Sequence, residues 1–311
     1  MRTLLIVFLF VGTFTLALAT AGSLSRADLV APLDAEKIGQ VVGVKATTSS
    51  DGVVRIGWAR TDLSVKVDGV PLHPFAGLGP WAAFMSTKHG AMVMGDTVLF
   101  QDEVTPAMDA AFASGLEVTA LHNHFFYDEP KVYFKHLGGM GRPEDLAAAV
   151  KSVWDAIKKV RAANVEPATR FGGETPKPGK VSAEPLEKIL GRKSEVQGGV
   201  VKVTIGREAK MHDVPVGGSM GLTTWAAFSG TDELAVVDGD FIMTAGEVQP
   251  VLKKLRKADI HVVALHNHMI GEEPALYFTH FWGKGSPEKL ARGIKAALDE
   301  QAKVRGRMKG H

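Results

Sequence analysis

An α+β fold built from two homologous units is predicted by three observations. The chain repeats itself at a fixed offset of 144 residues, short alternating segments separated by turn residues read as strands, and two amphipathic segments read as helices. The repeat is the strongest of the three. Ala120-Leu121-His122-Asn123-His124 recurs as Ala264-Leu265-His266-Asn267-His268, and Trp81-Ala82-Ala83-Phe84 recurs as Trp225-Ala226-Ala227-Phe228. Gly95-Asp96, Glu103-Val104, Pro106, Pro130, Tyr133-Phe134 and His136 map without a gap onto Gly239-Asp240, Glu247-Val248, Pro250, Pro274, Tyr277-Phe278 and His280. Matches this dispersed indicate duplication and fusion of one ancestral unit. The units are placed at residues 30–163 and 184–311. A linker rich in Pro and Gly lies between them at 164–183.

Within one unit, Val53–Trp58 and Leu63–Val67 read as strands, and Asp68-Gly69 supplies a tight turn into Val70. Trp81–Ser86 and Ala91–Phe100 follow, and Gly95-Asp96 is expected to break the latter as a hairpin turn. Val104–Ala113 is expected to be helical, Glu117–His124 and Val132–Leu137 to be strands. Pro143 opens a helix at a position that tolerates proline, and Leu146, Val150, Val153, Ile157 and Val160 lie on one face of it. The second unit repeats this start, with Ser286 as N-cap before Pro287 and with Leu290, Ile294 and Ala297-Leu298 as the apolar face. The basic stretch Lys303–Lys309 reads as a solvated helix end.

The first 21 residues carry Arg2, an apolar run from Leu4 to Leu18 and the small-x-small sequence Ala19-Thr20-Ala21. This is the pattern of a cleaved secretory signal peptide and places the protein in a periplasm or outside the cell. The apolar run is shorter than a spanning helix requires, and no membrane span is expected after cleavage. The composition is globular, with 45% hydrophobic and 23% charged residues. A formal net charge of +2 gives no field that would draw nucleic acid. There is no cysteine, which excludes disulfides, thiolate metal sites and a cysteine nucleophile. Any metal must be held by His, Asp or Glu.

Six of the 11 histidines fall in two copies of H-x-H-x11-H: His122, His124 and His136, then His266, His268 and His280. On a strand, side chains two apart share a face. If the following strand returns antiparallel, the third imidazole converges on the first two. Three neutral imidazoles with an open coordination position suit a catalytic divalent metal, zinc being the favoured ion. The bland alternative is a set of histidines that hydrogen-bond backbone at a sheet end. Against it, both triads survive intact, while His73, His89 and His261 face Gly217, Glu233 and Glu117 across the offset. Glu129 and Glu273 occupy matched loop positions and are candidates for a fourth ligand, a general base or a partner orienting an imidazole. Glu103 and Glu247 also match, but each precedes a predicted helix, where favourable charge at a helix N-terminus is the expected role. The paired aromatics Trp81, Trp225, Tyr133, Tyr277, Phe134 and Phe278 offer a carbohydrate platform, with packed core as the default reading. Gly217–Gly221 lacks the lysine of a phosphate-binding loop, and no Gly-x-Ser-x-Gly elbow is present.

The doubled A-L-H-N-H with its downstream P-x-x-x-F-x-H, the Gly-Asp pair and the P-E-x-L-A helix starts resemble the LppY/LpqO-like family of secreted bacterial proteins, which implies little chemistry. Lipid anchoring does not carry over, because the chain has no cysteine. The triads are also similar, more distantly, to the three-histidine zinc site of acetolactate decarboxylase and to related α+β domains. That likeness implies that His122, His124, His136 and their counterparts are zinc ligands. The cupin pattern fits His122, His124 and Glu129, but it places its last histidine further downstream than His136. The expected function is a secreted metal-dependent hydrolase or lyase acting on a small molecule or cell-envelope component. The alternatives are a non-catalytic protein that binds metal or envelope glycans, and a metal that only staples each unit.

Overall fold

The computed structural model describes residues 31–62 and 64–309, without the side chains of the last two; the segment 1–21, read from the sequence as a signal peptide, lies outside the described residues. The first repeat runs α1 (Ala35–Val42), β1 (Thr47–Thr48), β2 (Val54–Gly57), β3 (Lys66–Val67), β4 (Val70–Pro71), β5 (Trp81–Thr87), β6 (Gly90–Phe100), α2 (Gln101–Ala113), β7 (Glu117–His122), β8 (Asp128–Glu129), β9 (Val132–Gly141) and α3 (Pro143–Ala163). The second runs α4 (Ala183–Leu190), β10 (Glu195–Gln197), β11 (Val200–Gly206), β12 (Ala209–Met211), β13 (Val214–Val216), β14 (Thr223–Gly230), β15 (Ala235–Thr244), α5 (Ala245–Lys257), β16 (His261–His266), β17 (Glu272–Glu273), β18 (Leu276–Gly285) and α6 (Pro287–Lys309). The fold is α+β, as expected.

The two repeats share one antiparallel sheet of twelve strands, ordered β1-β2-β5-β6-β9-β7-β16-β18-β15-β14-β11-β10. They join where Leu121 on β7 faces Leu265 on β16, its own counterpart at the 144 offset. A local twofold axis therefore passes between these residues. Edge-to-edge pairing of the two copies hides one edge of each, the standard remedy for exposed ladder groups.

The long helices cover one face of the sheet. Leu146, Val150, Val153 and Ile157 of α3 are buried there, as are Leu290, Ile294 and Ala297 of α6. Pro143 and Pro287 open these helices. The Leu146 and Leu290 N–H groups donate to the Arg142 and Ser286 carbonyls, which places Ser286 at the N-cap. The other face carries two small three-stranded sheets, β4-β3-β8 and β13-β12-β17. Under them sit two minor apolar clusters, centred on Phe100 and Phe134 in the first repeat and on Ile242 and Phe278 in the second. Asp68-Gly69 makes the β3–β4 turn with both residues at positive φ, as the sequence predicts.

The Gly-Asp pairs are not turns. Gly95-Asp96 and Gly239-Asp240 lie mid-strand in β6 and β15, which run unbroken. Glycine is required by crowding. A Cβ on Gly239 would lie 2.2 Å from Phe281 Cζ and 2.3 Å from the Trp225 carbonyl oxygen, and on Gly95 it would lie 2.8 Å from the Trp81 oxygen. Gly239→Ala should therefore destabilise the fold by about 1–3 kcal/mol through overpacking. Urea denaturation checks this; an unchanged midpoint would contradict the packing account.

Glu103 and Glu247 stand at the third position of α2 and α5, where they accept the Phe100 and Thr244 N–H groups at 2.8 Å. The helix-start role holds, but it is half of their environment. Both carboxylates are fully buried against arginine. Arg60 donates to Glu103 at 2.7 and 2.9 Å, and Arg161, from the end of α3, lies 2.7 Å away. In the second repeat Arg207 and Arg305 take these places, at 2.5 and 3.0 Å. Arg305 belongs to the basic tail expected to be solvated; it is exposed, as expected, and its head also reaches Glu247. Burial pushes the Glu247 carboxyl up, but hydrogen bonds from Arg207 and the Thr244 N–H outweigh this and hold it below its ordinary value.

Candidate metal centre

Each triad is assembled by two neighbouring strands and the turn between them. β7 and β9 are antiparallel, with Ala120 opposite His136 and His122 opposite Phe134. β16 and β18 repeat this with Ala264 opposite His280 and His266 opposite Phe278. The first histidine ends its strand, so the second lies beyond the ladder rather than on it, a correction to the expected strand through His124. A local turn delivers it. Asn123 Nδ2 donates to the Phe125 carbonyl at 2.9 Å, and Asn267 Nδ2 donates to the Met269 carbonyl at 2.7 Å. The displaced imidazoles then stack on phenylalanine. His124 lies 3.3 Å from Phe134 and His268 lies 3.4 Å from Phe278, centroid to centroid, with the planes nearly parallel. The aromatic pair at 134 and 278 is thus packed core that also seats an imidazole.

The structure brings all six predicted histidines into two clusters. In the second, one ring nitrogen each from His266, His268 and His280 lies within 4.8 Å of the others. In the first, His122 Nε2 and His136 Nε2 approach to 3.1 Å and the His122 and His124 rings are 5.1 Å apart, but among the described residues only the second set gathers three ligand atoms this closely. The hydrogen bonds fix tautomers, because a carbonyl only accepts. The Nδ1 of His122, His266 and His280 lies 3.3 Å from the carbonyls of Asn123, Asn267 and Gly239 respectively, so Nδ1 carries the proton and Nε2 presents a lone pair. Burial, followed by the charges of the neighbouring imidazoles, lowers the pKa of His124 and of His268. A ring whose Nδ1–H is held by a carbonyl turns its Nε2 toward the cluster, as a metal ligand does.

The carboxylate beside each cluster is the aspartate of the Gly-Asp pair. Asp96 is opposite His136 and Asp240 is opposite His280 in the ladder, on the same face. Asp240 Oδ2 lies 3.4 Å from His268 Nε2. Both aspartates are buried, and the Oδ1 atom of each has no hydrogen-bond partner. A buried carboxylate oxygen left unpaired is costly, so its natural complement is a cation or a proton donor arriving from outside the chain. Burial raises the Asp240 pKa, and the charges of His280 and His266 oppose this. The three imidazoles of the second set are the donors that could hold a divalent ion, and Asp240 stands beside them, outside that group. A tetrahedral ion bound at about 2.0–2.1 Å sets neighbouring ligand atoms roughly 3.4 Å apart, inside the 4.8 Å within which the three nitrogens of the second set lie.

Glu129 and Glu273 lie elsewhere. Both are exposed on the short strands β8 and β17, opposite Lys66 and Lys210, in oppositely charged cross-strand pairs. Glu273 is not among the atoms gathered at the second triad. Their neighbours Asp128 and Glu272 turn inward and accept the Val132 and Leu276 N–H groups at 2.7 Å, closing the loop. The aspartates carried a visible signal, a matched pair at the 144 offset, but a glycine beside an aspartate also reads as a turn. Only the strand register separates the two readings.

The fold and the paired clusters define a duplicated α+β protein with one histidine centre per repeat. The chain belongs to the family described as Domain of Unknown Function (DUF1259), which matches residues 36–156 and 184–300. No curated protein matches the chain significantly. Similar solved structures include the trimeric bacterial microcompartment shell protein PduB, at 10% identity over 84% of this chain and 92% of that one, with a TM-score of 0.22. They also include EtuB from Clostridium kluyveri, at 12% identity over 85% and 92%, TM-score 0.22. The fused permuted hexameric shell protein MSM0275 of the RMM microcompartment follows, at 16% identity over 71% and 89%, TM-score 0.19.

Proposed function

We propose that the protein is an exported metal-dependent enzyme, a hydrolase or lyase acting on a carbonyl-bearing small molecule or cell-envelope component, with one metal per repeat and zinc the favoured ion. The observation that carries this reading is the donor arrangement. Nε2 lone pairs face inward, their Nδ1 protons are held by carbonyls, and a buried aspartate offers an unpaired oxygen beside them. A divalent ion held there supplies Lewis-acid polarisation of a substrate oxygen and lowers the pKa of water. The chain's own contribution is positional. Phe134 and Phe278 fix one imidazole of each set by stacking, and the Asn123, Asn267 and Gly239 carbonyls orient His122, His266 and His280. Asp96 and Asp240 are placed to accept a proton at Oδ1.

Asp240→Asn keeps the shape and removes the charge. It should weaken metal binding by about 10–100-fold while the fold persists. Glu273→Gln, out on the small sheet, should leave affinity unchanged. Isothermal titration of metal-free protein with zinc separates the two; equal effects from both variants would remove Asp240 from its assigned place.

A second reading, non-catalytic binding of envelope glycans, draws on Phe126 and Tyr127, which follow the first triad and are 80% and 77% exposed. It predicts saturable binding of soluble glycan fragments that is lost in a Phe126→Ala, Tyr127→Ala variant and needs no metal.

A further inference from the structure

The two repeats differ at one place where the twofold would make them alike. Gln249 of α5 reaches across to the edge of β7 and closes the Val118 backbone with its amide. Its Oε1 accepts the Val118 N–H at 3.0 Å, and its Nε2 donates to the Val118 carbonyl at 2.7 Å. Val118 needs this because it sits opposite Leu137 just before a bulge, with its N–H and C=O turned away from β9. The counterpart of Val118 is Val262, opposite Phe281 just before the matching bulge in β18's partner β16. The counterpart of Gln249 is Thr105, whose shorter side chain meets the His261 ring at 2.9 Å instead. Among the described residues, no side-chain amide closes the Val262 backbone.

A cleft occupies that place. It is about 430 Å³ between α2, residues 168–172 of the linker and His261, and an adjoining recess of about 140 Å³ extends to Val262 and Val263. Phe171 of the linker forms one wall, stacked on His261 at 4.0 Å, and Tyr133 and Val104 line the recess. The cleft thus combines an aromatic wall with a recess lined in part by Val262, itself 1% exposed, the counterpart of the residue that a planar amide pairs with at the other repeat.

We propose that this cleft binds a small planar amide or lactam whose adjacent C=O and N–H pair with the Val262 N–H and C=O, as the Gln249 side chain pairs with Val118, and whose flat body rests against Phe171. The site lies at the repeat junction and uses none of the histidines of the metal centres, so it stands or falls independently of them.

Benzamide is a suitable probe, with acetophenone as the matched compound lacking the N–H donors. The full chain is titrated while the Val262 amide signal is followed by nitrogen–proton NMR. Benzamide should shift it saturably, acetophenone should bind about tenfold more weakly, and Phe171→Ala should weaken benzamide. Thr105→Gln installs the arrangement that already exists at Val118, so it should fold and should abolish benzamide binding by filling the recess. Benzamide binding that survives Thr105→Gln, or no Val262 response at millimolar benzamide, overturns the proposal.

Discussion

Glu103→Ala should destabilise the protein by about 3–5 kcal/mol, among the largest effects available from one side chain in this fold. The substitution takes the shared partner from two buried cations, Arg60, 1% exposed, and Arg161, with a 7% exposed side chain, and leaves each with one carboxylate, Asp62 and Asp102 respectively. Removing one member of a buried ion pair costs this much where the charge left behind is poorly compensated, and here Asp62 and Asp102, both nearer the surface, are all that remain for two guanidiniums. Glu247→Ala should be milder, since the side chain of Arg305 is 45% exposed and can turn into solvent. The order is checked by urea denaturation at neutral pH. A loss below about 1 kcal/mol for Glu103→Ala would mean that the arginines find other partners or water. The same cluster sets an acid limit. The folded Glu247 carboxyl titrates below its unfolded value, so the stability it contributes is complete above the ordinary glutamate pKa of about 4.3 and is lost as pH falls through the lower folded value. A Glu247→Gln variant should flatten this acid limb.

The second large effect falls on the histidine centres. His266→Ala removes the imidazole in the middle of its set, ring-centred 5.1 Å from both His268 and His280. It should abolish metal binding at the second repeat and leave the first repeat's site intact. Metal content should fall by one ion per chain, and a His122→Ala, His266→Ala double variant should retain none. Chelation should lower the melting temperature of the wild-type protein and leave that of the double variant unmoved, because a metal bound only by the folded state stabilises it by mass action. If chelation shifts the double variant equally, the effect does not arise at these histidines.

Much of this architecture was legible along the chain. The 144-residue offset located both repeats, Pro143 and Pro287 marked the starts of the covering helices, and the H-x-H spacing with a returning strand brought His122, His124 and His136 together. These features are local or repeat in register, so sequence spacing translates directly into space. What escaped was long-range. The Gly95-Asp96 pair reads as a turn because its reason for glycine, the close pass of the Trp81 carbonyl, comes from a neighbouring strand. Asp96 and Asp240 consequently went unnoticed beside the histidines, and the exposed Glu129 and Glu273 stood in for them. Arg60 and Arg207 fall outside the common offset, so nothing in the spacing tied them to Glu103 and Glu247. That the repeats share one sheet follows from the pairing of Leu121 with Leu265, which no periodicity announces.

The central claim is that the two triads are metal centres. It is tested most directly by crystals grown from protein saturated with zinc and then washed free of excess, with anomalous scattering recorded across the zinc edge. Two peaks per chain are expected, one bounded by His122, His124 and His136 and the other by His266, His268 and His280, with Asp96 and Asp240 alongside. Zinc-saturated protein that shows no anomalous peak at either triad would contradict it.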